Sequence, residues 1–211
     1  MTPKQKYYEN VAATIIQNLE KRQMEGYYCP TAADAVQKAL ELMPEGSSVS
    51  WGGSRTLDEI GMRDALRLGN YQVINRESAR GSEEERKMYG EICCSDFFLM
   101  STNAITLDGE LVNIDGRANR VAFLCFGPEN VVILTGMNKI VPDVESGLKR
   151  VRNIAAPPNT VRLNKNTPCA VTGKCGDCLS SDCICSQIVI TRRSGTPGRI
   201  KVILIGEELG F

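Results

Sequence analysis

The first half of this chain alternates between amphipathic stretches and short apolar stretches, and no other feature constrains the fold as strongly. Apolar residues recur at helical spacing over residues 4–24, and Thr31 with Asp34 is typical of the start of a second helix. Further elements are predicted in the order strand 48–51, helix 56–69, strand 71–75, helix 82–93 and strand 96–101. This alternation predicts a parallel α/β sheet with right-handed crossovers.

Two of these helices are predicted to begin where a hydroxyl residue precedes a glutamate by three positions. Thr56 with Glu59 begins the third helix, and Ser82 with Glu85 begins the fourth. Residues 46 and 69 are glycines that suit the ends of the second and third helices.

The second half of the chain is richer in strand patterns. Strands are predicted over residues 105–114, 120–126 and 131–135, with Asp-Gly or Gly-Pro turns in or between them. A helix over residues 142–153 is predicted to stop at Ala155-Ala156-Pro157-Pro158. Residues 188–191 and 200–205 are predicted to form a terminal hairpin. We expect the middle strands to extend the same sheet in antiparallel fashion.

These elements predict one domain over residues 1–211 of mixed-sheet α/β class, with helices flanking the sheet. We divide it into N-terminal helices (1–46), a core (47–160), a cysteine-rich insertion (161–187) and the terminal hairpin (188–211).

Composition excludes several function classes. The 25 Lys and Arg residues balance the 25 Asp and Glu residues, whereas a nucleic-acid-binding protein normally carries a basic excess. No apolar run approaches the ~20 residues that cross a bilayer, and the first residues lack the apolar core of a signal peptide, so we expect a cytoplasmic protein without a membrane partner. The chain has no histidine, which excludes imidazole bases and histidine metal ligands.

A glycine loop follows the predicted strand 48–51. Closely approaching backbone amides, hydroxyls and a guanidinium are the groups that bind phosphate or carboxylate. The loop therefore predicts an anion site, although a tight turn without a ligand would have the same residues. Its members are Gly52, Gly53, Ser54, Arg55 and Thr56.

The polar segment 101–120 supplies further candidates. Thr102 and Asn103 follow a buried strand, so they are predicted to face a cleft at the carboxyl edge of the sheet together with Asn119. Without histidine, proton transfer must rely on carboxylates or a lysine. The candidates are Asp108, Glu110, Asp115 and Lys139, although Asp-Gly pairs are also common hairpin turns.

Nine cysteines occur in the chain, and five of them lie within residues 169–185. The spacing of Cys175 and Cys178 suits two ligands of one metal, with Cys169 and either Cys183 or Cys185 completing four sulfurs. Four sulfurs suit zinc or an iron–sulfur cluster, and spacing leaves both open. Free thiols or a redox-active pair are the alternatives.

Four runs of this sequence resemble the lactate-utilisation (LUD, formerly DUF162) domain family, in its short branch with a C-terminal cysteine motif. The runs are SSVSWGGSRTLDEIG, STNAITLDGELVNIDGRANRVAFLCFGPENVVILTGMNKIV, LKRVRNIAAP and TPCAVTGKCGDC with GRIKVILIGEELG. The resemblance implies a fold like that of the NagB/RpiA/CoA-transferase superfamily, with a phosphate- or CoA-binding loop after an early strand. It also implies that Cys185 is the fourth cysteine of the motif and Cys183 an additional thiol.

Two functions follow from this resemblance. The first is a redox or metabolic component linked to the oxidation of lactate to pyruvate, with redox protein partners, since the sequence has no flavin or nicotinamide fingerprint. The second is an enzyme similar to CoA transferases or sugar-phosphate isomerases that acts on a small anionic metabolite. Both are compatible with a homo-oligomer.

Overall fold

The computed structural model describes residues 1–211, which form ten strands and nine α-helices. The strands are β1 (Glu25–Cys29), β2 (Ser48–Trp51), β3 (Gln72–Val73), β4 (Phe97–Met100), β5 (Ala104–Thr106), β6 (Leu111–Asp115), β7 (Asn130–Gly136), β8 (Ile140–Val141), β9 (Gln187–Thr191) and β10 (Ile200–Ile205). The helices are α1 (Pro3–Lys21), α2 (Ala32–Glu41), α3 (Arg55–Glu59), α4 (Met62–Leu68), α5 (Ser82–Cys93), α6 (Asn119–Cys125), α7 (Val144–Arg150), α8 (Ala156–Arg162) and α9 (Pro168–Thr172).

Six strands form an all-parallel sheet in the order β1-β10-β7-β4-β2-β3. Its central strands are apolar on both faces, as a sheet covered by helices requires. In β7, for example, Val131 and Ile133 pack on the side of α1, α5 and α6, whereas Val132 and Leu134 pack on the side of α2, α3 and α4. The predicted α/β class with flanking helices is confirmed.

The remaining four strands form a separate sheet in the order β8-β5-β6-β9. The prediction that the middle strands extend the first sheet in antiparallel fashion is therefore wrong for β5 and β6, whereas the predicted strand 131–135 is β7, which lies in the first sheet but is parallel to its neighbours. A 3₁₀ turn, Met137–Lys139, joins β7 of the first sheet directly to β8 of the second. This short connection sets the two sheets side by side and places Lys139 at their junction.

The predicted terminal hairpin is also wrong, because its two segments enter different sheets. β9 pairs antiparallel with β6 in the second sheet, while β10 lies between β1 and β7 in the first. β10 is buried on both faces, which suits a central strand of a parallel sheet and not one arm of a hairpin at the edge.

The segment 120–126, predicted as a strand, is the helix α6. Its buried residues recur at helical spacing, since Val121 and Leu124 both face the core. The carboxylate of Asp115 accepts the Val121 backbone N–H at 3.2 Å, which satisfies one free donor in the first turn. An apolar run of this length fits either element, and the hydrogen bond to Asp115 favours the helix.

The N-terminal segment contains a strand as well as two helices, which corrects the prediction for residues 1–46. α1 ends at Lys21 because Gln23 adopts a left-handed conformation (φ 59°), and β1 follows at the edge of the parallel sheet. The Thr31 start of α2 is confirmed: its hydroxyl accepts the Asp34 backbone N–H, and the Asp34 carboxylate accepts the Thr31 N–H in return.

Two predicted helix starts and one predicted stop are corrected. Ser54, not Thr56, is the N-cap of α3, and Gly81 precedes α5 without a side-chain cap. The helix after β8 does not stop before Pro157. It continues from α7 through a π-helical turn, Val151–Ala155, into α8, because the wider turn accommodates prolines that lack an N–H donor.

No helix of the chain combines the length and the apolarity that crossing a membrane requires.

Candidate functional site

Three neighbouring strands of the parallel sheet end at the same edge, and most of the predicted site residues lie in the segments that follow them. β2 leads into Gly52, β4 leads into Ser101, and β7 leads through the 3₁₀ turn to Lys139. Ligands of open α/β sheets bind beyond the carboxyl ends of the strands, which makes this edge the candidate site.

A cavity of about 630 Å³ opens at this edge, between the parallel sheet, the second sheet and the cysteine segment. We call it the basic cleft, because seven cationic side chains line it against two carboxylates, those of Asp115 and Asp182. The cationic residues are Arg55, Arg76, Arg117, Arg120, Lys139, Arg162 and Lys165. A cavity of this size suits a metabolite-sized ligand, and its charge selects an anion.

Several cations of the basic cleft have no acidic partner. The guanidinium of Arg76 makes no hydrogen bond and no ion pair, although its charge contributes to the lowered pKa of Glu85, and its nitrogen lies 3.8 Å from the position that a Cβ on Gly53 would take. Arg162 bonds only to the amide oxygen of Asn159. Arg117 pairs with Glu85 at 2.8 Å, but both side chains reach solvent, so the pair is weak and exchangeable. The cleft therefore offers free positive charge at its rim.

Arg120 forms part of the wall of the basic cleft and is buried. Its guanidinium donates to the backbone oxygens of Ser101 and Ile114 and to the amide oxygens of Asn113 and Asn103, at 2.6–3.2 Å. Burial lowers the pKa of Arg120, although a guanidinium stays charged in practice. Its donors are occupied, so Arg120 positions the polar loop after β4 and leaves anion binding to other residues.

Lys139 lies at the floor of the basic cleft, with only 4% of its surface exposed. Its Nζ donates to the hydroxyl of Thr56 at 2.8 Å and to that of Ser101 at 3.0 Å. Burial, together with the nearby charges of Arg150 and Arg120, lowers the pKa of Lys139 to about 7. The amine is thus poised to gain or lose a proton near neutral pH.

The five residues of the predicted glycine loop occupy three different positions in the structure. Gly53, Ser54 and Arg55 line the basic cleft. Gly52 lies behind them, where a Cβ would fall 2.9 Å from the Arg120 Cγ. Thr56 is buried and holds Lys139. α3 has only five residues, so its dipole adds little to anion binding.

The three polar residues predicted to face the cleft all line it. The Thr102 hydroxyl donates to the Ala104 oxygen at 2.9 Å, and the Asn103 amide oxygen accepts from Arg120 and from the Ile114 N–H. Asn119 donates to the Tyr89 hydroxyl at 3.1 Å. The side chains of Thr102 and Asn103 are fixed by hydrogen bonds to buried groups. Asn119 lies at the rim of the cleft and can turn more easily toward a ligand.

The structure does not bring Asp108 and Glu110 to the basic cleft. Both lie in the turn between β5 and β6, against the end of α1, where Arg22 donates to the Asp108 backbone oxygen and pairs with Glu110 at 3.2 Å. The turn itself is confirmed, with Gly109 at φ 87°. Of the carboxylates considered from the sequence, only Asp115 lines the cleft, 3.8 Å from Arg120.

The cysteine segment borders the same cleft. Cys183 and Cys185 line it, Ile184 packs against Gly116, and the Ser186 N–H donates to the Asp115 backbone oxygen at 3.0 Å. Burial, together with neighbouring sulfurs, raises the pKa of the Cys185 thiol to about 12. The sulfurs whose charge adds to this rise belong to Cys183, Cys169 and Cys175. Cys178 is not among these neighbours.

The five thiols suit zinc or an iron–sulfur cluster by their chemistry. Some are already hydrogen-bonded, since Thr167 contacts the Cys169 sulfur at 3.3 Å and the Asp177 N–H points to the Cys175 sulfur at 3.5 Å. In the present arrangement, however, no three cysteine or carboxylate side chains converge on one ion position. To bind zinc or an iron–sulfur cluster, the cysteine sulfurs of the segment would have to move closer together.

Sequence reasoning missed most of the cationic residues of the basic cleft. Arg76 follows β3, Arg117 follows β6, and Arg162 ends α8, so each sits where an element ends near the carboxyl edge of the sheet. A location just after a predicted strand, or at the end of a predicted helix, is the feature of the sequence that could have identified these arginines. The net charge of zero gave no indication of a basic cleft, because most of the acidic residues that balance these cations lie outside it.

Comparison with known proteins agrees with this fold. The model of the LUD domain matches residues 12–205. A DUF162 family protein from Deinococcus radiodurans is 14% identical, with a TM-score of 0.53 over 94% of this chain and 98% of that chain.

Two ribose 5-phosphate isomerases are similar over a smaller part of the chain. The isomerase A of Neisseria gonorrhoeae is 15% identical over 55% of this chain and 56% of its own, with a TM-score of 0.36. The enzyme of Plasmodium falciparum is 16% identical over 53% and 52%, with a TM-score of 0.35. No curated protein matches the sequence. Since the family model spans nearly the whole chain, the chain belongs to the LUD domain family.

Proposed function

We propose that the chain binds a small anionic metabolite, phosphorylated or carboxylated, in the basic cleft and acts on it with the amine of Lys139. One observation carries the proposal: unpaired cations at the rim stand above a buried lysine whose only partners are two hydroxyls. Rim cations would hold the anionic group, and the rest of the ligand would reach toward Lys139.

The size of the cleft favours a ligand larger than lactate. About 630 Å³ lies in the middle of the range of pockets that enclose drug-sized molecules. Lactate has six non-hydrogen atoms and would leave most of this space to water. A sugar phosphate, or the pantetheine end of a CoA ester, fills it better. This supports the hypothesis of an enzyme similar to sugar-phosphate isomerases or CoA transferases.

The test is ligand binding measured by calorimetry and thermal shift, with ribose 5-phosphate, CoA, inorganic phosphate and lactate as probes. We expect at least one phosphorylated probe to bind, and the affinity to fall as salt is raised. Arg76→Ala should weaken binding about 5- to 150-fold, the effect of losing one charge-assisted hydrogen bond of roughly 1–3 kcal/mol.

Arg67→Ala is the matched control, because Arg67 is exposed on α4, pairs only with Asp64 and does not line the cleft. It should leave the affinity unchanged. Equal loss in both variants, or no binding of any anionic probe, would contradict the proposal.

A second function is favoured by the position of the cysteine segment. Because Cys183 and Cys185 line the basic cleft, a metal group held there would sit beside the bound metabolite. We propose that the cysteine segment binds zinc or an iron–sulfur cluster. An iron–sulfur cluster would transfer single electrons, and the chain would then be a redox component of a lactate-oxidising type that works with protein partners. Metal analysis, described in the Discussion, separates the two functions.

A further inference from the structure

Lys139 has an environment that differs from that of an ion-paired lysine. No carboxylate lies within ion-pair distance of its Nζ, and its two hydrogen-bond partners are the neutral hydroxyls of Thr56 and Ser101. An ammonium group offers three donors, so one position on the nitrogen is left without a protein partner. Since Lys139 lines the basic cleft, that position is available to a ligand.

The charges around Lys139 disfavour its protonated form. Arg150 and Arg120 repel the ammonium from the sides of α7 and α6, and only Glu59 of α3 attracts it. Burial is the largest cause, and together with these charges it lowers the pKa of the amine to about 7. A large fraction of the amine is therefore neutral at physiological pH. A neutral amine carries the lone pair that a nucleophile requires.

The rim of the cleft supplies what such a nucleophile needs from its substrate. Arg76 and Arg162 make no ion pair with a carboxylate and can hold an anionic group. A ligand held there has its other end directed to the floor, where Lys139 is the only primary amine that is buried. The arrangement selects molecules with an anionic group at one end and an electrophilic carbon at the other.

We propose that Lys139 is a nucleophile that forms an imine with the carbonyl carbon of an anionic aldehyde or ketone bound in the basic cleft. This rests on the proposed function, that is, on the binding of an anionic metabolite there. The hydroxyls of Thr56 and Ser101 hold the nitrogen in place as it reacts.

The reaction balances without an oxidant or a reductant. The nitrogen lone pair attacks the carbonyl carbon, the C–N bond forms, and a proton from the nitrogen moves to the carbonyl oxygen to give a carbinolamine. The C–O bond then breaks, and the oxygen leaves as water after taking one further proton. Amine, carbonyl compound and one proton thus give a protonated imine and water.

The experiment traps the imine with borohydride. The probe is pyridoxal 5′-phosphate, which combines an aldehyde with a phosphate. The full-length protein is incubated with the probe and reduced, and intact mass and peptide mapping locate the stable secondary amine. We expect one adduct per chain on Lys139, prevented by excess inorganic phosphate.

Variants make the assignment specific. Lys139→Met and Lys139→Arg should both lose the adduct, and the arginine variant keeps a positive charge without the nucleophile. Lys149→Met is the matched control, since Lys149 lies on α7 outside the cleft and pairs with Glu145 at 2.7 Å, and it should keep the adduct. In the unmodified protein the rate of adduct formation should rise with pH and level off above about 7.

The two proposals fail in different ways. If pyridoxal phosphate binds in a manner that inorganic phosphate prevents, yet no adduct forms on Lys139, the nucleophile proposal is overturned and the anion site stands. Adducts only on exposed lysines, or adducts that survive in Lys139→Arg, overturn it as well. If neither pyridoxal phosphate nor any other anion binds, the proposed function itself fails.

Discussion

The Nζ of Lys139 lies 2.8 Å from the hydroxyl oxygen of Thr56, although 83 residues separate them in the chain. Thr56 belongs to α3, which follows β2, and Lys139 belongs to the turn after β7. β4 lies between β2 and β7 in the sheet and leads into Ser101, the second hydrogen-bond partner of the amine. The ends of three strands thus meet around one amine. They bury it at the floor of the basic cleft, and this burial lowers the pKa of Lys139.

This amine should make stability depend on pH. Its pKa is about 7 in the folded chain and 10.5 when exposed, so the unfolded chain binds more protons between these values. The free energy of unfolding therefore rises as pH increases from about 7 to about 10.5. The contribution of Lys139 across this window is roughly 4–5 kcal/mol at most.

The measurement compares the wild type with Lys139→Met by urea unfolding at several pH values. At pH 7 we expect the Met variant to be at least as stable as the wild type, because it no longer carries a buried charge. The difference should change in favour of the wild type as pH rises towards 10. A difference that is constant with pH would show that Lys139 titrates normally.

Gly52 and Gly53 are adjacent, yet alanine should be tolerated at only one of them. At Gly52 a Cβ would fall 2.9 Å from Cγ and 3.2 Å from Cδ of Arg120, whose guanidinium is fixed by four hydrogen bonds. At Gly53 the nearest atom would be 3.8 Å away, an ordinary contact. Neither glycine has a positive φ, so backbone strain does not separate them.

We expect Gly52→Ala to lower the free energy of unfolding by about 1–3 kcal/mol, the usual cost of overpacking, and to weaken anion binding. Gly53→Ala should change stability by less than about 1 kcal/mol. Thermal unfolding and the phosphate-binding assay give both values. Equal effects of the two substitutions would mean that Arg120 can move away freely.

Arg120 and Arg117 are close in sequence and both line the basic cleft, but removing Arg120 should lower stability, whereas removing Arg117 should mainly weaken anion binding. Arg120→Leu leaves two backbone oxygens and two amide oxygens without their buried donor, which should cost about 3–5 kcal/mol of stability. Arg117→Ala removes only an exposed pair with Glu85 and should cost less than about 1 kcal/mol.

Denaturant unfolding measures both costs, and the phosphate-binding assay completes the comparison. Arg117→Ala should weaken binding while the fold stays intact, since its guanidinium can turn from Glu85 to a ligand. An Arg117 variant with unchanged affinity would remove this residue from the anion site. An Arg120 variant as stable as the wild type would show that water can replace its hydrogen bonds.

The cysteine segment is tested by metal analysis on protein purified without oxygen. We expect about one equivalent of zinc, or iron with acid-labile sulfide and a brown colour, and we expect Cys175→Ser and Cys185→Ser to lose most of it. Cys94→Ser is the matched control, because Cys94 is an exposed thiol at the end of α5. Metal-free wild-type protein with five reactive thiols would contradict the site.

The local signals in the sequence were sufficient where one short segment decides its own structure. The reciprocal bonds of Thr31 and Asp34 start α2 as predicted, and the apolar run before Ser101 forms a strand buried on both faces. The segment 120–126 shows the limit of this reasoning. Its apolar residues fit a strand or a helix, and only the folded structure, in which the Asp115 carboxylate accepts the Val121 N–H, shows that it is a helix.

What the sequence determined by itself is the α/β class, the glycine loop and polar segment beside one sheet edge, and the chemistry available there: no imidazole, many thiols, and one lysine among the candidate bases. Only the tertiary structure decided which strands pair, and therefore that β9 and β10 part into different sheets and that Asp108 and Glu110 face α1. The physical reason is that pairing and burial are set by contacts between distant segments. The pKa of Lys139 arises in the same way, because burial and the charges of Arg150 and Arg120 are properties of the folded chain alone.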